Sequence, residues 1–182
     1  LAVVGVLVTL SLLGLPQGIV RYVAQYKARQ DSKRLNGVIV TSMKLSVFMS
    51  LIFSILLYIF AESVAVILFS KPEMLGLLQL MAVAIPLTVI ITNLEKVVLA
   101  FQRVEYITIS RNFSENLVKV ILSIIFVSLG FGIVWVASAY LFSIFVGIVL
   151  LFYFLHNKVH RLSSVIRNRV SVSKKLLRFS LP

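Results

Sequence analysis

Five long apolar stretches fill the chain, and the basic residues between them alternate from one end of the stack to the other. This pattern leaves few ways to fold. A run of about 20 apolar residues crosses a hydrocarbon layer as a helix, because a helix pairs its backbone N–H and C=O groups within the segment. The stretch ending near Tyr26 is followed by Lys27, Arg29, Lys33 and Arg34, and the third stretch by Arg103 and Arg111. The fifth gives way to Lys158, Arg161, Arg167, Arg169, Lys174, Lys175 and Arg178. The remaining two connections hold Lys71 beside Glu62 and Glu73, and the uncharged Gly130, Phe131 and Gly132. Loops that retain Lys and Arg stay on the cytoplasmic side. Loops 27–36, 100–110 and 156–178 are therefore expected inside the cell membrane, and the other two outside.

The expected fold class is all-α, a polytopic transmembrane helix bundle. Its spans fall at about 1–26, 37–61, 75–99, 110–130 and 133–155, and together they make one domain over 1–155. Residues 156–175 carry Val159, Leu162 and Ile166 at helical spacing among basic residues, as expected for an amphipathic linker on an anionic inner leaflet. Residues 176–182 read as the start of another span, and Leu1 falls inside an apolar run without a Met, so truncation at both ends is expected. Tyr22, Tyr26, Tyr106 and Tyr153 near the inner ends, with Tyr58, Trp135 and Tyr140 near the outer ones, make an aromatic belt.

Several function classes drop out. Only 13% of the residues are charged, against roughly 25% in soluble domains, and the mean hydropathy is +1.05. The net charge of +12 sits in short loops beside apolar runs, which argues for membrane topology and against nucleic acid. Without Cys there is no disulfide, thiolate metal site or cysteine nucleophile. His156 and His160 are one turn apart but lie among cations and lack the Glu of a zinc-binding helix, so no metal is expected. With two His and six acidic residues, neither a catalytic carboxylate pair nor a Ser–His–Asp set can be assembled, and no glycine-rich phosphate loop is present. No cofactor is expected, and no enzyme.

The informative polar residues lie inside the spans. The purely apolar part of the fourth, 120–129, is too short to cross, so its helix must begin near Ser110 and draw Glu115 and Lys119 below the surface. Arg111, Glu115 and Lys119 at i, i+4, i+8 share a face on an α-helix, with Asn112 and Asn116 alongside. Either they neutralise one another near the interface or they wall a polar cavity. Gln17, Arg21 and Gln25 repeat the spacing on the first span; Arg21 either snorkels to the headgroups or faces the same interior. Ser42, Ser46, Ser50 and Ser54 form a ladder that lets another helix approach closely. Pro86 is expected to kink the third span. Glu95 is expected to pair with Lys96 of a neighbouring helix or with Arg103, and it is the candidate for ion coupling.

Residues 13–26, LGLPQGIVRYVAQY, followed by a basic loop containing Asp31, resemble the second helix of Wzx-type oligosaccharide flippases. These belong to the multidrug/oligosaccharidyl-lipid/polysaccharide exporter superfamily. Similar likenesses run through 101–106 (FQRVEY) with 109–112 (ISRN), through 130–140 (GFGIVWVASAY), and through 177–182 (LRFSLP). The resemblance implies helices two to six of one lobe of a two-lobe alternating-access transporter. It implies transport of a polyprenyl-phosphate- or diphosphate-linked oligosaccharide to the outer leaflet of a prokaryotic cell membrane, with H⁺ or Na⁺ as a coupling cation. Arg21 matches the basic position of the helix-two motif, whereas Arg111 and Lys119 rest on the face argument alone. The cavity-lining set is thus Arg21, Gln17, Gln25, Arg111, Glu115 and Lys119. Two alternatives stay open: a cation-coupled multidrug exporter of the same superfamily, and a membrane-embedded polyprenyl glycosyltransferase or polysaccharide polymerase.

Overall fold

A computed structural model of the chain describes residues 2–12, 14–68 and 74–159. Every described element is helical. The first apolar stretch is two helices, α1 (Ala2–Leu12) and α2 (Leu15–Ala28), separated at Gly14, whose φ of 69° is left-handed. Pro16 stands in the first turn of α2, where the ring's preset φ suits the helix and its missing N–H leaves no bond unmade. Nothing lies within 4 Å of a Cβ built on Gly14, so backbone strain alone opposes a side chain there. Gly14→Ala should lower stability by about 1–2 kcal/mol. Gly5→Ala, in the open interior of α1, should raise it by roughly 0.5–1 kcal/mol. Unfolding in a detergent series on the two variants checks both signs.

α3 (Ser32–Ile59) begins five residues ahead of the expected span. The reason is Asp31, whose Oδ1 accepts from the Arg34 N–H at 3.1 Å while Oδ2 meets Arg34 Nε at 3.3 Å. The lone acid of a basic loop is thus a helix cap. A short turn, α4 (Ala61–Ser63), leads into a π-wound segment, Val64–Leu68. α5 (Leu75–Ala100) is the central helix, packed against α1, α2, α3 and α8. It continues through Pro86, which has no N–H to offer the carbonyl of Ala82 one turn back. Ser54 Oγ donates to that carbonyl at 2.7 Å across the helix pair, a repair that membrane helices use for prolines. Ser54→Ala should therefore cost about 1–2 kcal/mol, and in a Pro86→Ala background the cost should vanish. A double-mutant cycle measures the coupling.

After α5 the chain turns at Gln102, φ 61°, into α6 (Val104–Ile107), a π-wound ribbon (Thr108–Glu115) and α7 (Asn116–Ser128). Gly130, φ 76°, closes the hairpin to α8 (Ile133–Phe154), where Phe126, Phe131 and Trp135 gather with ring centroids 5.0–6.0 Å apart. A third π-wound piece, Leu155–Val159, extends α8. The expected linker at 156–175 lies outside the described residues beyond 159, and so does the expected further span at 176–182.

Four segments among the described residues are long and apolar enough to cross a membrane: Val3–Ala28, Ser32–Ile59, Leu75–Ala100 and Ile133–Asn157. The chain is a multi-pass membrane protein. The stretch 110–130 is not among the four, because its first third is the polar π-wound ribbon and α7 has 13 residues, about 20 Å at 1.5 Å per residue. The main core packs Ile19 and Val23 of α2, Val38 and Ile39 of α3, Val97 and Val98 of α5, and Ile144 and Leu151 of α8. This core lies toward the end where the basic loops emerge. Lys27 Nζ fastens that end, donating to the Phe101 carbonyl at 3.3 Å and lying 5.0 Å from the centre of the Phe101 ring.

Candidate functional site

The polar residues fall into three environments. The first is the outer face of α2. Because α2 buries Leu15, Ile19, Val23 and Tyr26 against α3 and α5, the residues at the opposite register, Gln17, Arg21 and Gln25, are exposed. The exposed faces of other helices are apolar: Phe48, Leu51, Ile55 and Ile59 on α3, Ile121, Ile124 and Val127 on α7, Phe142, Phe145 and Phe152 on α8. Acyl chains suit those faces, which Lys44 of α3 and Asn116 of α7 interrupt, while α2 turns a row of Gln17, Arg21 and Gln25 outward.

The second environment is an ion pair between α5 and the π-wound ribbon. Arg111 Nη1 donates to Glu95 Oε1 at 2.7 Å and to Oε2 at 2.5 Å. Glu95 is buried, while the Arg111 side chain keeps 41% of its surface. Neither expected partner of Glu95 takes this place. Arg103 instead meets Glu105, its near neighbour in sequence, at 3.2 Å. Glu95 lies in the last turns of α5, and the ribbon passes close enough for the longer reach of Arg111.

The third environment holds Glu115 and Lys119, and here the α-helical register misleads. A π-helix closes its bonds five residues back and carries more residues per turn, so side chains at i, i+4 and i+8 drift around the axis. Arg111 reaches α5. Glu115 is buried beside Gly147 of α8, and Lys119 donates to Asn116 Oδ1 at 2.9 Å. Lys119 also borders a cavity of about 460 Å³ between α1, α5, α7 and α8, with Ser123 and Tyr140 as the other polar groups on a wall of Val4, Leu77, Met81 and Ala137.

The structure thus brings Arg111 and Glu95 into contact and sets Glu115 close by. The α2 row stands on a helix packed against α3 and α5, whereas the ribbon packs against α8. Two positions escaped the sequence reading. Gly147 is the place where α8 admits the ribbon, and its signal was a single glycine inside an otherwise bulky span. Asn93 is fully buried and donates to Ser46 Oγ at 2.6 Å, while its Oδ1 and Ser42 Oγ have no protein partner. Its signal was an amide in phase with the serine ladder of α3. Among the described residues no group of three or more His, Cys, Asp or Glu side chains could hold a metal ion. His156 is exposed, and His160 lies outside the described residues.

No curated protein and no solved structure matches the chain. One family model does, under the description polysaccharide biosynthesis protein, over residues 1–182. A helical, multi-pass chain matched along its whole length by that model belongs to the polysaccharide biosynthesis protein family.

Proposed function

We propose that the chain is part of a flippase of the Wzx type, which carries a polyprenyl-phosphate- or diphosphate-linked oligosaccharide from the cytoplasmic to the outer leaflet. The observation that carries this reading is the polar outer face of α2, set against the mostly apolar outer faces of α3, α7 and α8. Gln17, Arg21 and Gln25 in contact with hydrocarbon would be costly, about 2.5–3.5 kcal/mol for an arginine at mid-membrane. A face of this kind belongs against water, cargo or a second lobe. A sugar headgroup and its phosphate need such a path, while the polyprenyl tail can stay in the bilayer. Arg21 offers a planar cation for the phosphate, and Gln17 and Gln25 offer amides for sugar hydroxyls. Lys119, at the cavity edge, is a second phosphate contact.

In this reading the 104–128 stretch is the additional crossing, with Ser110 and Glu115 of its polar first half buried in the bundle. The basic loops face the cytoplasm. H⁺ or Na⁺ provides the driving force. A cation-coupled drug exporter would line its path with acids for cationic compounds, whereas the exposed row here has Arg21 as its one charge. A glycosyltransferase or polymerase would need a larger polar surface outside the spans.

Arg21→Ala in the complete protein should reduce export of the lipid-linked sugar by roughly 10- to 100-fold, the equivalent of losing one charge-assisted hydrogen bond of about 1.5–3 kcal/mol. Lys119→Ala should reduce it as well. Surface glycan is the readout, with protein level followed by immunoblot. Normal export by both variants would remove the cavity assignment. Drug sensitivity with intact surface glycan on loss of the protein would favour the exporter.

A further inference from the structure

Glu115 is an acid with an unanswered oxygen. The residue is 8% exposed, and its Oε2 is buried without a hydrogen-bond partner. It reaches this place because α8 has no side chain at Gly147. A Cβ built there would lie 3.4 Å from Glu115 Oε2, 3.8 Å from the Ser110 carbonyl oxygen and 2.9 Å from Ile91 Cδ1.

The charged and titratable groups around it are few. From its own ribbon and α7 come Arg111 and Lys119, from α5 comes Glu95, and from α8 comes the Tyr140 phenol, whose field acts on Arg111. Both cations are engaged elsewhere. Arg111 directs Nη1 at both oxygens of Glu95, and Lys119 donates to Asn116. One guanidinium therefore stands between two buried carboxylates and holds only the first. A buried acceptor with no donor in reach carries a desolvation cost, largest when it is charged, and a proton of its own removes the charge.

We propose that Glu115 is a proton-binding site of the transport cycle. Packed against Gly147, as here, Oε2 carries a proton taken from water, and the Arg111–Glu95 pair stays closed. When the contact between the ribbon and α8 opens, the proton returns to water and the ionised carboxylate competes with Glu95 for Arg111. The proton and the position of Arg111 are then linked through one contact. The expected ion-coupling role of Glu95 passes to Glu115, because Glu95 has a cation of its own. The purpose of the site rests on the transporter reading, but its measurement does not.

The test uses the complete protein in lipid nanodiscs and infrared difference spectra between pH steps, with no sugar substrate present. The wild type should show a protonated-carboxyl C=O band that bleaches as pH rises. Glu115→Gln should abolish the band, and Glu95→Gln should keep it with a midpoint moved to lower pH, because Arg111 is then free to pair with the ionised Glu115. Gly147→Ala, which presses a methyl group toward Oε2, should move the titration midpoint, and it serves as the second reading should Glu115→Gln not fold. No titrating band in the wild type, survival of the band in Glu115→Gln, or an unmoved midpoint in Gly147→Ala would each overturn the proposal. Loss of the band on adding sodium at fixed pH would make the occupant Na⁺ and overturn it too. A failed export assay leaves this readout untouched, so the two readings fail separately.

Discussion

Replacing Ser46 with Leu is expected to cost the protein about 2–6 kcal/mol. Ser42, Ser46 and Ser50 are fully buried, and the small side chains let α3 and α5 lie close. In a membrane no hydrophobic force drives helices together, so this close packing and the hydrogen bonds within it hold the pair. Leucine at 46 acts twice. It forces two extra heavy atoms into a filled seam, about 1–3 kcal/mol, and it deprives buried Asn93 of the acceptor for its Nδ2, another ~1–3 kcal/mol. Ser46→Ala removes the acceptor alone and should lose about half as much. Ser50 bonds its own helix at the Val47 carbonyl, so Ser50→Ala should fall within about 0.5 kcal/mol of the wild type. Equilibrium unfolding in mixed micelles orders the three variants, and equal losses for Ser46→Leu and Ser50→Ala would contradict the packing account.

Arg111→Ala is expected to be the second severe change. It leaves the Glu95 carboxylate buried with no cation. Breaking a fully buried pair costs about 3–5 kcal/mol, and because Arg111 keeps 41% of its side-chain surface, roughly 2–3 kcal/mol is the appropriate figure here. Glu95→Gln should cost less, since it leaves a half-exposed cation that water can still reach. The double variant Arg111→Met with Glu95→Gln should regain most of the loss, because an uncompensated buried charge is the source of the damage. A double-mutant cycle by unfolding decides it. Additive effects would mean that the pair contributes no coupling.

The helical, membrane-spanning character of the fold was legible because it depends on composition and length, the two quantities a sequence states directly. Helix ends were legible only where a chemical signal marked them. Gly132 marks the start of α8 at Ile133, whereas the Asp31 cap was passed over and the start of α3 set five residues late. The break at Gly14, with its left-handed φ, divides a stretch that composition and length mark as one span. The polar site was legible as a set of residues and illegible as an arrangement. A face argument multiplies position by 100° per residue, and the π-wound ribbon at Thr108–Glu115 does not obey that multiplier. Arg111 therefore reaches α5 while Glu115 and Lys119 turn elsewhere, and the three do not make one stripe. The Glu95–Arg111 pair joins residues 16 apart on separate elements, which no local spacing rule reaches.

The central claim is that the outer face of α2 meets water and cargo, not acyl chains. The chain contributes no cysteine of its own, so single cysteines placed in it are read against the complete protein without them. In the complete protein, placed in membranes, cysteines at Gln17, Arg21 and Gln25 should react with a membrane-impermeant aqueous maleimide. Cysteines at Phe48 and Ile55, on the apolar face of α3, should react only with a lipid-soluble one. Inert positions 17, 21 and 25 in water that are labelled from the lipid phase would contradict the account.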